Sequence, residues 1–267
     1  MSTTGSTDLL FLHDAYAREF TATVIDVRGG PAGDQHDDDE SNKPPAIALD
    51  RTLFYATGGG QPNDTGAIAG PNGVFPVTNV RKEGGLVWHT VSLGEVSQPE
   101  DAAAGKLPGI GTEVSGSIDW DRRHELMRTH TALHILCGVI WNEWGVAVTG
   151  GNMEPLKARM DFEFDPLPEG FADRITQLVN AEIDADRAIE VSFLPRPEAL
   201  ADEDLIRTKV NLIPEFVTEI RVVDIVGLDK QADGGTHVAS TKEVGIFSVT
   251  KTESKGKGNK RVRIQLT

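Results

Sequence analysis

Short alternating or β-branched segments fill the first hundred residues: FTATVIDVR (20–28), AIALDRTLFYAT (46–57), GVFPVTNV (73–80) and GLVWHTVSL (85–93). Alternation sends successive side chains to opposite faces, so each segment predicts a strand with one face toward a core, and the Gly, Pro and Asp residues between them predict turns. This portion reads as all-β. Residues 29–45, GGPAGDQHDDDESNKPP, separate the first two segments. Their breakers and five acids (Asp34, Asp37, Asp38, Asp39, Glu40) predict an exposed, disordered acidic insertion.

The period changes after a second breaker-rich stretch, SQPEDAAAGKLPGIG at 97–111, which places a domain boundary near residue 110 and divides the chain into 1–110 and 111–267. A strand-like TEVSGSIDW follows. From Asp121 to about Trp144, Leu126, Leu133 and Ile140 recur at sevens, with Met127, Leu136, Cys137 and Trp141 widening the stripe, and this predicts a long, largely buried helix. KARMDFEF predicts a strand; Phe171, Ile175, Leu178, Val179 and Ile183 mark a second amphipathic helix in FADRITQLVNAEIDADRA. IEVSFL, EIRVVDIV, GIFSVTKTE and RVRIQL read as further strands, with a short polar helix around 197–209. The second domain, and the chain as a whole, is therefore α+β.

At 267 residues the chain is long enough for two domains with sizeable cores. Its one cysteine, Cys137, excludes an internal disulfide framework, and the N-terminal stretch lacks a basic region followed by an apolar one, so a reducing, cytoplasmic location is expected. No apolar run approaches the roughly 18–20 residues that span a bilayer, so no membrane partner is expected. A net charge of −15 would oppose a nucleic-acid partner if spread evenly. It is not: residues 242–267 carry seven basic groups against two acids.

Within the long helix, RTHTALHIL sets His130 and His134 four residues apart, on one helical face. Alone, such a pair is more often two core or capping histidines bonded to backbone carbonyls than half of a metal site. A second cluster about 100 residues later, QADGGTHVAST, repeats the spacing with Asp233 and His237 around Gly234 and Gly235, which free the backbone to approach a ligand closely. His130, His134, Asp233 and His237 form a donor set acceptable to one divalent ion, and imidazole with carboxylate favours zinc. Cys137 lies about two helical turns from His130, some 10 Å along the axis, and is assigned to the core.

RTHTALHIL and QADGGTHV, in that order and at that separation, resemble the HxxxH…CxxxH signature of the alanyl-tRNA synthetase editing domain and its freestanding AlaX-type relatives. FYATGGGQPNDTG (54–66) resembles the glycine-rich motif of the longer AlaX forms, GSIDWDRRHELMRTH the entry to the editing helix, and EVGIFSVTKTESKGKGNKRVRIQL the closing hairpin. The resemblance covers most of the chain. It implies a small N-terminal β-barrel, an α+β editing domain with a central antiparallel sheet, and hydrolysis of tRNA(Ala) wrongly charged with serine or glycine. The chain departs from the family pattern at Asp233, where cysteine is usual.

Under that resemblance Thr131 and Thr236 lie beside metal ligands, where their hydroxyls can bind that of serine, and Gln61 reaches the site from the glycine-rich motif. Arg122, Arg123 and Arg128 on the helix and Lys255, Lys257, Lys260 and Arg261 near the C-terminal end are the expected phosphate contacts. The alternative function is a non-catalytic module that binds tRNA or a synthetase through the same fold, which the substitution at Asp233 keeps open.

Overall fold

Apolar faces of six strands converge on one interior near the N-terminus. The computed structural model describes residues 5–29, 44–93, 106–202, 205, 217–256 and 258–267; residues 30–43 of the acidic insertion, residues 94–105, most of the C-terminal half of the polar helix expected at 197–209, and Lys257 lie outside them. In chain order come β1 (Asp8–Leu9), β2 (Glu19–Arg28), β3 (Ala46–Leu49), β4 (Arg51–Thr52), β5 (Gly66–Gly70), β6 (Gly73–Glu83), β7 (Leu86–Val91) and β8 (Glu113–Ile118). Six of them close into an antiparallel barrel in the order β2-β3-β7-β6-β5-β8, and β1 pairs with β4. Val24, Ile47, Leu49, Phe54, Ile68, Val80 and Val87 are wholly buried inside it. The strand Glu113–Ile118, on the far side of a boundary at residue 110, is hydrogen-bonded to both β2 and β5 and completes the closure.

Two polar devices sit in this first unit. His89 on β7 is fully buried, with Nδ1 2.9 Å from the Ile47 carbonyl and Nε2 2.8 Å from Thr52 Oγ1. The carbonyl can only accept, so Nδ1 carries the proton and Nε2 receives one from the threonine hydroxyl. Burial depresses the pKa of this ring to about 4, against the opposing pull of the Ile47 carbonyl. Arg123 and Asp64 form a fully buried ion pair at 2.6 Å, with further guanidinium bonds to the carbonyls of Ala15 and Leu53 and a bond from the Tyr55 amide to the carboxylate.

The period-3.6 segment becomes α1 (Trp120–Trp144), started by Asp119, whose carboxylate accepts from the Arg122 amide. Then follow β9 (Val148–Glu154), β10 (Lys157–Phe162), α2 (Phe171–Asp184), β11 (Ile189–Pro195), α3 (Arg196–Ala201), β12 (Glu219–Ile225), β13 (Asp229–Ala232), β14 (Phe247–Ser254) and β15 (Lys260–Leu266). They build a four-stranded antiparallel sheet, β14-β15-β10-β9, and a three-stranded one, β11-β12-β13. Asn180 of α2 bonds both the amide and the carbonyl of Phe247, which fastens that helix to β14. The fold is α+β, with a β-barrel and a second unit of antiparallel sheets around a long buried helix. The chain divides into two compact units, Met1–Gly58 with Pro62–Arg123, and Gly59–Gln61 with His124–Thr267. The tripeptide Gly59–Gln61 thus belongs to the second unit although it interrupts the first in sequence.

Candidate metal centre

Helix α1 delivers His130 and His134 from successive turns, and the loop that follows β13 delivers Asp233 and His237. One donor atom from each of the four lies within 4.8 Å of every other, and the group can hold a metal ion. The three histidines are at most 8% exposed. Gly235 makes the approach possible: a Cβ there would overlap the His130 ring and stand 2.8 Å from Gln61 Oε1.

The hydrogen bonds around the rings fix their orientation. Thr236 donates its backbone N–H to Gln61 Oε1 at 3.2 Å, and an amide nitrogen can only donate, so the glutamine oxygen must face it. Gln61 Nε2 accordingly donates to Thr236 Oγ1 at 2.9 Å. Gln61 Oε1 also lies 3.1 Å from His130 Nδ1, and since this oxygen only accepts, the proton is on Nδ1. His130 Nε2 then presents a lone pair toward Asp233 Oδ1, 3.7 Å away. His237 is held at both nitrogens: Nδ1 meets Thr131 Oγ1 at 3.1 Å, and Nε2 meets Asp233 Oδ2 at 2.9 Å, where an Nε2–H donates to the carboxylate and a bound cation would take the proton's place. Two ring nitrogens and a carboxylate turned toward one point are the arrangement a cation resolves, with Gln61 and Thr131 as the outer partners that orient the rings.

Protonation favours the same use. Burial is the largest influence on His130 and His237 and lowers both to about 4, overriding the pull of Asp233 in the other direction. Burial works to raise Asp233, but the facing histidines and the bond from His237 outweigh it and hold the carboxyl well below the usual range. At neutral pH His130 and His237 are neutral and Asp233 is ionised, the forms a metal needs.

Arg221 on β12, 7% exposed, has no counterpart among the residues expected from sequence. Its guanidinium donates to the Asp233 carbonyl at 2.9 Å and lies 3.8 Å from Asp233 Oδ2, while its own carbonyl accepts from the Asp233 amide at 3.1 Å. The Gly235 amide donates to Asp233 Oδ2 at 2.7 Å. No motif marks this arginine; it stands in an ordinary strand pattern, EIRVVDIV, and only the register of β12 against β13 brings it to the loop.

The expected site residues separate into groups. Thr131, Thr236 and Gln61 are buried beside the cluster, at most 1% exposed. Cys137 is buried in the core. Of the expected phosphate contacts, Arg123 is enclosed in the barrel unit with all its guanidinium nitrogens engaged, which leaves it no route to an external phosphate. Arg122 bonds the Asn63 carbonyl, and Arg128 clamps the carbonyls of Val244 and Thr267. Arg261 forms a two-pronged pair with Asp161 at 2.7 and 2.8 Å. Lys260 lies 3.9 Å from Asp165, and Lys255 is exposed. Among the described residues no helix is long and apolar enough to cross a membrane.

Both ends of the chain match modules of tRNA synthetases. Residues 6–122 match the family of class II (A) tRNA synthetases, and residues 220–263 match the second additional domain of threonyl and alanyl tRNA synthetases. The chain is 35% identical over 261 residues to the alanyl-tRNA editing protein AlaX-M of Saccharolobus solfataricus, covering 96% of this chain and 97% of that protein. It is 33% identical to AlaX-M of Methanosarcina mazei, over 97% and 96% of the two. The alanine–tRNA ligase of Pyrobaculum arsenaticum is 34% identical over 91% of this chain but only 25% of its own length. The chain belongs to the AlaX-M family of alanyl-tRNA editing proteins.

Proposed function

We propose that the protein is a trans-editing hydrolase that removes serine, and also glycine, from mischarged tRNA(Ala), at one zinc ion held by His130, His134, Asp233 and His237. The observation that carries this reading is the convergence of those four donors beside three buried polar side chains, Thr131, Thr236 and Gln61. Bound zinc would supply positive charge to polarise the ester and its attacking water. The chain's own groups do the sorting. Thr236 Oγ1 accepts from Gln61 and keeps its proton to donate, so it can bind a serine hydroxyl; Thr131 Oγ1 accepts from the Val238 amide at 3.3 Å and orients His237. A buried group that bonds a substrate hydroxyl discriminates strongly against the analogue lacking it, which sets serine apart from alanine. Glycine enters by its small size. Deacylation of seryl-, glycyl- and alanyl-tRNA(Ala), with metal quantified in the same sample, tests the reading. Serine and glycine should be released much faster than alanine, with about one zinc per chain. Absence of hydrolysis by fully loaded protein would leave a tRNA-binding module instead.

A further inference from the structure

The second unit contains a cationic row whose members are not among the phosphate contacts expected from the sequence. In the sheet β14-β15-β10-β9, Asn152, Arg159, Arg263 and Lys251 stand directly opposite one another, one on each strand. Side chains alternate along a strand, so these four share a face. The opposite face carries Met153, Met160, Val262 and Ile264, all at most 8% exposed, which leaves the row on the outward side. Arg159, Arg263 and Lys251 have side chains 36%, 44% and 62% exposed. Two residues along β10, Lys157 is exposed on the same face. In the other direction lies the mixed row Asp161, Arg261 and Glu253. Glu253 receives both Lys251, at 2.7 Å, and Arg263, at 2.9 Å, so one carboxylate serves two cations. Five cations face three acids here, with Glu154 beside Lys157 included, in a chain whose net charge is −15.

The row also has a direction. Its β9 end is the sheet edge that meets the glycine-rich tripeptide: the Met153 amide donates to the Gly60 carbonyl at 3.1 Å, and Gly60 leaves space for a Cβ only 3.1 Å from the Gly151 carbonyl. Gln61, the next residue, is the one that orients His130. The row therefore starts at the neutral Asn152 on the strand that meets the Gly59–Gln61 tripeptide, and its cations follow on the three further strands, spanning roughly 14 Å from β9 to β14 at about 4.8 Å per strand. We propose that this outer sheet face is the docking surface for an RNA stem, its phosphates lying on Arg159, Arg263 and Lys251 with Lys157 beside them while the acylated end enters the metal cluster. The inference rests on the deacylase reading for what that end carries. RNA is the occupant the charge selects: in a chain whose net charge is −15, these spaced guanidinium and ammonium groups on one sheet face suit a phosphate backbone.

The test uses the full-length, metal-loaded protein with R159Q/K251Q/R263Q and, separately, E253Q. Removing three phosphate-binding cations should flatten the log–log salt dependence of tRNA binding by about 2 and weaken binding roughly tenfold at moderate salt. E253Q releases two cations and should tighten binding severalfold. Hydrolysis of a seryl-adenosine ester, which has no RNA stem, should be unchanged in both variants. Unchanged tRNA affinity and salt slope in the triple variant, or weaker binding by E253Q, would overturn the surface while leaving the deacylase intact. A wild type that binds tRNA with the expected slope yet hydrolyses neither substrate would overturn the deacylase reading and keep the surface.

Discussion

Gly235 carries the strictest geometric demand in the metal cluster, because its missing side chain is what lets the Asp233–His237 loop lie against His130. Gly235→Ala is expected to abolish stoichiometric metal binding, measured as metal per chain, while the barrel unit still unfolds cooperatively. The two threonines differ in what their hydroxyls already do. Thr131→Val strips an acceptor from the Val238 amide and a partner from His237, so it should cost about 1–2 kcal/mol of stability and weaken metal retention. Thr236→Val should keep the metal and reduce kcat/KM for seryl-tRNA(Ala) by the equivalent of about 1 kcal/mol or more, with alanyl-tRNA(Ala) little changed. Equal losses on both substrates would assign Thr236 to packing. The four candidate donors are legible in the sequence because two segments repeat one spacing, on a helix and in a loop; Arg221 is not, because its proximity to Asp233 depends on which residues two strands pair.

At the scale of elements, α1 is the most readable, its limits set by a sustained apolar stripe and by Asp119 at its start. Strands β5, β9 and β13 are not readable. Their sequences, GAIAG, VTGGNME and DKQA, hold glycines or charges that resemble turns, and each is stabilised by its neighbours rather than by its own propensity. β5 begins at Gly66 because a Cβ there would press on the Ser117 carbonyl of β8 and lie 3.0 Å from Phe54. The run DRRHELMR likewise looks like a phosphate-binding stripe in sequence, yet Arg123 serves the barrel unit. Arg123→Ala leaves Asp64 as an unpaired buried carboxylate and should destabilise that unit by about 3–5 kcal/mol in chemical denaturation. Loss of tRNA affinity at unchanged stability would contradict this placement.

For the molecule as a whole, a loss of stability in acid follows from histidines kept neutral by burial. His89 titrates at about 4 when folded and near 6.5 when unfolded, so between these values the unfolded chain binds the extra proton. Stability should be intact above pH 6.5, decline as pH falls to about 4 by up to about 3 kcal/mol from this ring alone, and level off below. In metal-free protein, His130 and His237 act in the same direction. Denaturation midpoints across pH 4–7, for wild type and His89→Gln, measure the first contribution; an equal slope in both would remove it. Chain connectivity has a different consequence. Gln61 bonds Thr236 across 175 positions, so an early-synthesised residue stays without its partner until residue 236 has left the ribosome. A nascent chain that still lacks Asp233 and His237 therefore has no assembled cluster, however completely its barrel unit has folded.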